Sequence, residues 1–598
     1  MKKISFSSHF LKAVYLLIIN VFVKYNFFKM TILNQKSMFI SRTFFTLSLL
    51  AMVQLAVAQM NPSVDALVDR LQTNGYAFEL NQSTGDVSAS NQIILQFREG
   101  TTQQWKDEFI RNFKIKLSHV LRTTVHLQVI KKCDCGNIEN WELSAVSGAL
   151  SCSGNKDRIT TTSRETSSSM QGGDNLLKID LNYYQSVQEG STIRPNNAPL
   201  SNLIKGIRLN NGSDKKIEII DTGIDPIHPN QGFRNALWND PKEGTNSKVD
   251  LNGNCYKGDK LGYNFVDDNN LPLDYQSHGT HVAGIIYKNS SCIPTKLLIA
   301  KALDDNGVGS DFAIACAIHY GVRQGVDVIN MSFGRTGTAS TIVEKAVSTA
   351  VANNIVLVAS SGNFLLDNDI IPMWPANFPN VISVNATSAN DNHSLWESIE
   401  SNMGSNYGAK RVHIAAEGEA VYSTVPGGYA RKSGTSMAAP QVTAAVAVLK
   451  SRNSRWNAAN IRNNIFRNAH LKEHYKAQGF NQHGILSDLQ YCKQRFPEEE
   501  SQSYARNKRN IQLADANVVV APNPVTDISM VTIEYAGAEK IAHLTLTNIE
   551  GKVLLQNKIS INGTLTQEPL DISLLPKGIY ILKVVVGEVI LSKRIVKF

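Results

Sequence analysis

The sequence predicts an α/β fold: a parallel sheet with helices on both faces, preceded by a small α+β unit and followed by a small all-β sandwich. Three observations carry that expectation. From about residue 200 to 490, short apolar strands alternate with helical patterns. Residues 91–130 read as strand, helix, strand, and from Val518 to Phe598 short strands are split by turns. A chain of 598 residues is also too long for one compact core, so several domains are expected.

Residues 1–58 read as an export signal. Thr43 to Ala58 is apolar, follows Arg42, and ends in Ala56-Val57-Ala58 before Gln59, a small-x-small cleavage pattern. An earlier apolar stretch, Leu11 to Val23, precedes Met38, which is taken as the true start. The competing reading is a two-helix membrane anchor, but both stretches fall short of the roughly 20 apolar residues that a span needs.

Asn91–Gly100 is an alternating strand, Thr101–Phe113 carries a helical stripe, and Thr124–Ile130 is strand-like again. This predicts a small α+β domain over 88–152, and a Ser/Thr/Gly-rich linker or processing region over 153–199. The main domain, 200–490, shows strands at Lys216–Ile220, Leu297–Leu303, Val326–Met331, Ile355–Ala359 and Asn380–Asn385. Helical patterns lie between them at Phe312–Gln324 and Thr341–Asn353. A polar linker, 493–516, leads to the last domain, 517–598, with strands at Val531–Tyr535, His543–Asn548, Lys552–Leu555, Ile579–Val586 and Val589–Val596.

The apolar content of 42%, charged content of 19% and net charge of +9 are ordinary for a globular chain. No Lys/Arg run or aromatic-interleaved basic stripe argues for a nucleic-acid partner. Seven cysteines leave at least one unpaired if disulfides form after export. Cys133-Asp134-Cys135 lacks a zinc-finger spacing, and Cys316, inside the apolar run Phe312–Ile318, reads as a small buried hydrophobe.

Four residues stand out chemically. Ser436 lies in Gly434-Thr435-Ser436-Met437-Ala438-Ala439-Pro440, ahead of an apolar helical segment at Gln441–Lys450. That suits a nucleophile held at a turn near the positive end of a helix. Asp221 follows the strand Ile217–Ile220 and precedes Thr222-Gly223, where a carboxylate can orient an imidazole; an Asp satisfying its own turn is the alternative. His278 opens His278-Gly279-Thr280-His281 at the start of a small-residue helix. Its spacing to His281 lacks the i, i+4 interval and the Glu of a zinc-protease helix. Asn363 follows the strand Ile355–Ala359, where an amide can donate to a developing oxyanion or simply close a turn.

In that chain order, these residues resemble the subtilisin-like serine peptidases. The matching motifs are IIDTGID at 219–225, HGTHVAG at 278–284, VINMSFG at 328–334, ASSGN at 359–363 and SGTSMAAPQV at 433–442. The resemblance implies a subtilisin-like parallel sheet and a secreted serine endopeptidase acting through an acyl-enzyme. Ser436 would be nucleophile, His278 base, Asp221 the orienting acid, and Asn363 with the Ser436 N–H the oxyanion hole. Ser332, Phe333 and Gly334 would form the edge that pairs with substrate backbone, and Met373-Trp374-Pro375 would lie near the base of a narrowed pocket. Polypeptides are the implied substrates, no cofactor is needed for catalysis, and a monomer is expected. A non-catalytic surface protein on the same scaffold is the alternative.

Calcium is the one structural cofactor to consider. Asp250, Asn252 and Asn254 alternate in a pattern that suits oxygen ligation, with a plain polar loop as the competing reading. Asn230 stands near where the family places a calcium-binding Asp, so no metal ligand is assigned. Residues 88–152 resemble the family's propeptide in size and strand–helix–strand order, with an ordinary accessory domain as the alternative. The tail holds Ala521-Pro522-Asn523-Pro524, Leu546-Thr547-Asn548-Ile549-Glu550-Gly551-Lys552 and Leu574-Leu575-Pro576-Lys577-Gly578-Ile579-Tyr580. It resembles the C-terminal sorting domain of the type IX secretion system found in Bacteroidetes. That implies the type IX machinery as partner and a secreted or surface-attached product. A carbohydrate-binding module is the rival reading, without an evident aromatic platform.

Overall fold

The computed structural model describes residues 62–81, 83–145, 151–152, 155–187, 214–243, 249–395, 403–470, 479–487 and 492, and, in the tail, 516–521, 528–535, 541–548, 553–561, 565–576, 578–586 and 589–597. The signal expected at residues 1–58 lies outside these, as do Pro522, Pro524 and Gly551. The chain divides into two units, Met1–Phe496 and Pro497–Phe598. Among the described residues no helix is long and apolar enough to cross a membrane.

The first unit opens with α1 (Pro62–Thr73), β1 (Phe78–Leu80), β2 (Val87–Phe97), α2 (Gln103–Leu121), β3 (Val125–Cys133), β4 (Ile138–Ala145), α3 (Lys156–Ser168) and β5 (Leu176–Ser186). The expected linker at 153–199 is therefore corrected: much of it is a helix and a central strand. The Ser/Thr-rich composition misleads because Ile159, Thr162, Ser163 and Thr166 recur at helical spacing and are buried. Two of the hydroxyls are satisfied on the helix's own carbonyls, Ser163 on Thr160 and Thr166 on Thr162. The small α+β unit accordingly runs from Pro62 to Ser186, beyond the expected 88–152.

The rest of this unit adds β6 (Lys215–Asp221), α4 (Gln231–Ala236), β7 (Gly262–Asn264), α5 (His278–Asn289), β8 (Thr295–Lys301), β9 (Val308–Ser310), α6 (Asp311–Gln324), β10 (Val328–Met331), α7 (Thr341–Ala352), β11 (Val356–Ser360), β12 (Val381–Thr387), β13 (Ile414–Glu417), the hairpin β14 (Val421–Val425) and β15 (Gly428–Lys432), α8 (Thr435–Arg452) and α9 (Ala458–Arg467). Seven strands form one parallel sheet in the order β13-β12-β11-β10-β6-β8-β7. Alternate residues face opposite layers: Val328 and Val358 pack with Val282, Val442 and Val446 of α5 and α8. Ile329 and Leu357 pack with Ile314, Ile318 and Val343 of α6 and α7. From β8 on one side of β6 the chain crosses to β10 on the other, so the crevice at the carboxyl ends of β6 and β10 is where a site is expected.

The α+β unit lies against α6 and α7 by polar capping. Asp180 Oδ2 accepts the Thr341 N–H at 2.7 Å, Asn182 Oδ1 the Phe312 N–H at 3.1 Å, and Asp86 Oδ1 the Thr338 N–H at 2.6 Å. The first two satisfy orphan donors at the positive ends of α7 and α6, and the third holds the segment just before α7. Strand β5 extends the contact by pairing antiparallel with β9.

Three disulfides join Cys133–Cys316, Cys135–Cys255 and Cys292–Cys492, and Cys152 is free and buried. The reading of Cys316 as a mere small hydrophobe is corrected: it is fully buried and also bridged.

The tail unit consists of antiparallel strands β16 (Ala516–Ala521), β17 (Ile528–Tyr535), β18 (Ile541–Asn548), β19 (Val553–Ser560), β20 (Leu565–Asp571), β21 (Gly578–Val586) and β22 (Val589–Lys597). They form sheets β16-β17-β20 and β19-β18-β21-β22 around Val531, Leu544, Leu582 and Ile595.

One core residue breaks the apolar pattern. Glu218 on β6 is fully buried, and neither carboxyl oxygen has a protein partner. Burial pushes its pKa well above the ordinary value. Between the unfolded value, about 4.3, and the raised folded one, the native state binds the extra proton, so stability falls as pH rises, by up to about 1.4 kcal/mol per unit. Glu218→Gln should remove this slope. Thermal unfolding should show the variant melting above the parent at pH 8, with the gap closing toward pH 4.

Candidate active site

Asp221 ends β6 and is buried, with Oδ1 accepting the Thr222 N–H at 2.8 Å. The same oxygen lies 2.7 Å from Nδ1 of His278, the first residue of α5. The glycines beside these two residues let the segments touch. Gly223 has φ +116°, and a Cβ on Gly279 would come within 2.3 Å of the Gly223 carbonyl oxygen.

The loop before His278 is held by Asp274, a fully buried carboxylate that sequence reasoning missed. Its Oδ1 accepts from the Thr222 hydroxyl and from the Gln276 and Ser277 N–H groups. Its Oδ2 accepts from the Thr280 N–H and hydroxyl. Asp274 thereby satisfies the first turn of α5 and fixes the base of the loop carrying the imidazole. The available signal was an Asp closely preceding a helix-opening segment.

Ser436 is the second residue of α8, which begins at Thr435 rather than at Gln441. The helix contains Pro440, which has no N–H to give the Ser436 carbonyl. The Ser332 hydroxyl donates to that carbonyl instead, at 3.1 Å. In return the Ser436 hydroxyl donates to the Ser332 carbonyl, also at 3.1 Å. Asn330, another residue missed from sequence, donates to the Ser332 hydroxyl and accepts from the Thr443 hydroxyl of α8. A fully buried amide in the otherwise apolar strand β10 was the legible clue.

Asn363 follows β11 and is buried. Its Oδ1 accepts from the Thr435 N–H and hydroxyl at 2.9 and 2.8 Å. That fixes the amide plane one residue from Ser436 and keeps the NH2 end as a donor.

The structure thus brings Asp221 to His278, Ser332 to Ser436, and Asn363 to the residue before Ser436. It does not form a hydrogen bond between His278 and Ser436: His278 Nε2 is buried without a protein partner, and the serine hydroxyl is turned to Ser332. Such links often tighten only when substrate binds.

Ser332, Phe333, Gly334, Gly362, Met373 and Ser436 line one small pocket together with Ser186 and Ser360. Met373 is fully buried there, close enough that a Cβ on Gly362 would lie 2.6 Å from its terminal methyl. Ser186 is the last residue of β5, and its carbonyl accepts the Gly334 N–H at 3.3 Å. The N-terminal α+β unit therefore occupies the backbone edge beside Ser436.

His281 is a structural group. It is fully buried, its Nε2 faces the Val421 and Ala430 carbonyls at 3.1 Å, and burial holds its pKa well below the ordinary value. Asn230 caps α4 and donates to the Tyr429 hydroxyl. The Asp250 carboxylate accepts N–H groups from Gly253, Asn254 and Cys255, while Asn252 and Asn254 accept from their own loop. Among the described residues, no group of three or more His, Cys, Asp or Glu side chains converges as metal ligands would.

The Subtilase family matches residues 212–500, and the Secretion system C-terminal sorting domain matches residues 519–597. Thermitase of Thermoactinomyces vulgaris is 35% identical over 260 residues, covering 42% of this chain and 79% of its own length. A thermophilic serine proteinase of Bacillus sp. (strain AK1) is 36% identical over 248 residues, covering 40% of this chain. The alignment spans about half of that relative, 53% of its length. A solved cold adapted subtilisin-like serine proteinase aligns over 47% of this chain and 91% of its own, at 24% identity and TM-score 0.37.

Asp274→Ala should leave several buried donors unpaired and cost about 2–5 kcal/mol. Denaturant unfolding measures that loss. Asp274→Asn should recover part of it, because an amide oxygen replaces one of the two acceptors.

Proposed function

We propose that this chain, which belongs to the subtilase family, is an exported serine endopeptidase that hydrolyses peptide bonds through Asp221, His278 and Ser436. The C-terminal match marks a secreted or cell-surface-attached protein, and type IX export is the route its sorting domain implies. The observation that carries the catalytic reading is the buried 2.7 Å pair of Asp221 with His278, beside a serine at a buried helix N-terminus.

The chemistry follows from that geometry. Asp221 holds the imidazole with Nδ1 protonated, which leaves Nε2 as the base. Nε2 takes the Ser436 proton as Oγ attacks the scissile carbonyl. The developing oxyanion accepts from the Asn363 amide and the Ser436 N–H, where the dipole of α8 is also favourable. His278 then passes the proton to the leaving amine, which departs and leaves an acyl-enzyme. Water repeats the sequence to release the acid. Each step uses protein groups and water. The Ser332–Gly334 edge aligns the substrate backbone by strand addition, and the occupation of that edge by β5 supports this role.

That occupation also supports reading residues 62–186 as an inhibitory propeptide. Its last strand lies where substrate would lie, so scission between the end of β5 and the start of β6 would be needed to clear the cleft.

Ser436→Ala should abolish casein hydrolysis by the activated protein while leaving its circular dichroism unchanged; retained activity would refute the assignment. A fluorophosphonate should label Ser436, and His278→Ala should prevent labelling. Met373→Ala should enlarge the pocket. Cleavage of a proteome-derived peptide library should then shift toward bulkier residues before the cut, with small-residue sites losing about 10-fold in kcat/KM relative to them.

A further inference from the structure

The turn at Cys133-Asp134-Cys135 belongs to the N-terminal α+β unit, yet both of its cysteines are bonded to the catalytic-type region. Cys133, at the end of β3, is bridged to Cys316 in the middle of α6. Cys135 is bridged to Cys255 in the loop before β7. Between them, the Asp134 carboxylate pairs with Arg323 of α6 at 2.6 Å, and the Asp134 N–H donates to the Tyr256 hydroxyl at 3.2 Å. Three consecutive residues thus clasp the two parts at a place remote in sequence from the chain that joins them, residues 188–213.

We propose that this clasp makes the N-terminal unit a covalently retained inhibitor, so that cutting the connecting chain is not enough to free the active site. The proposal rests on reading residues 62–186 as inhibitory. Hydrolysis between 188 and 213 breaks one C–N bond and adds one water, giving a carboxylate and an amine. Both inter-part bridges survive it. The unit then acts on the cleft intramolecularly. A linked module works at about millimolar effective concentration, which raises overall affinity by about 100- to 10,000-fold over the untethered one. Dilution therefore cannot clear β5 from its pairing with β9 and Gly334.

Release takes either destruction of the unit by proteolysis or reduction of both bridges. In the second route each bridge accepts two electrons and two protons from a dithiol, giving two thiols and one oxidised dithiol. The two bridges differ in access. Cys135 and Cys255 are exposed, whereas Cys133 is 8% exposed and Cys316 is fully buried. A thiolate must reach a sulfur to attack it, so the outer bridge opens first and the inner one holds the tether. Export places the chain away from the cytosolic thiols that would otherwise reduce it.

The test uses the full chain with a recognition sequence for an unrelated site-specific protease placed within residues 190–210. In the Ser436→Ala form, cutting should give one band on a denaturing gel without reductant and two bands with it. Two bands without reductant would overturn the proposal. In the Ser436 form, hydrolysis of a fluorogenic peptide after cutting should be at least about 100-fold lower than in the Cys133→Ser/Cys135→Ser variant. It should also stay low on dilution, while the variant gains activity. Equal activity of the cut chain and the variant would overturn the proposal. If the uncut chain were already as active as both, the inhibitory reading itself would fall, and the proposal with it. Should the variant not fold, dithiothreitol titration of the folded, cut chain replaces it. Activity should rise with loss of the Cys133–Cys316 bridge, followed by differential alkylation, and not with loss of Cys135–Cys255 alone. No rise after both bridges are lost would equally overturn the proposal.

Discussion

The reciprocal hydrogen bonds between Ser332 and Ser436 are the constraint on which the rest of the site depends. They join the carboxyl end of β10 to the first turn of α8, and so join the edge beside the cleft to the residue read as nucleophile. The exchange exists because Pro440 leaves the Ser436 carbonyl without an intrahelical partner. Asn330 and Thr443 brace it from below, so a fully buried polar chain runs through the interface of sheet and helix. Buried polar groups of this kind are costly unless every member is paired, and that requirement holds strand and helix in one register.

A second layer of polar contacts positions the N-terminal unit. Asp86, Asp180 and Asn182 give oxygens to N–H groups at or near the starts of α6 and α7. Helix N-termini have no internal partner for those donors, so the acceptors come from a neighbouring surface. The contact is directional, and it aims β5 along β9 and into the cleft beside Gly334. The same surface carries the two bridges and the Asp134–Arg323 pair.

Much of the fold was legible because its period was clear. Strands such as Val328–Met331 and Val356–Ser360 are short, mostly apolar runs, as strands covered on both faces tend to be. The segments that escaped were those whose burial runs against their composition. Helix α3 hides threonines and serines by satisfying them on its own carbonyls, and β7 is only three residues long. At the site, Asp221, His278, Asn363 and Ser436 stand out in the sequence because each sits in a short motif at an element boundary. Asp274 and Asn330 left only a weak local clue each, because part of their role lies in partners distant in sequence, Thr222 for Asp274 and Thr443 for Asn330.

The sequence alone determined the layered α/β architecture, the order of the parts and the chemical types at the site, since these rest on periodicity and on local motifs. Only the tertiary structure decided which cysteines meet, that β5 lies in the cleft, and that the serine hydroxyl rests on Ser332 rather than on His278. Those are contacts between residues separated by tens to hundreds of positions. Nothing in local propensity encodes them; they follow from which surfaces the packed sheet and helices bring together.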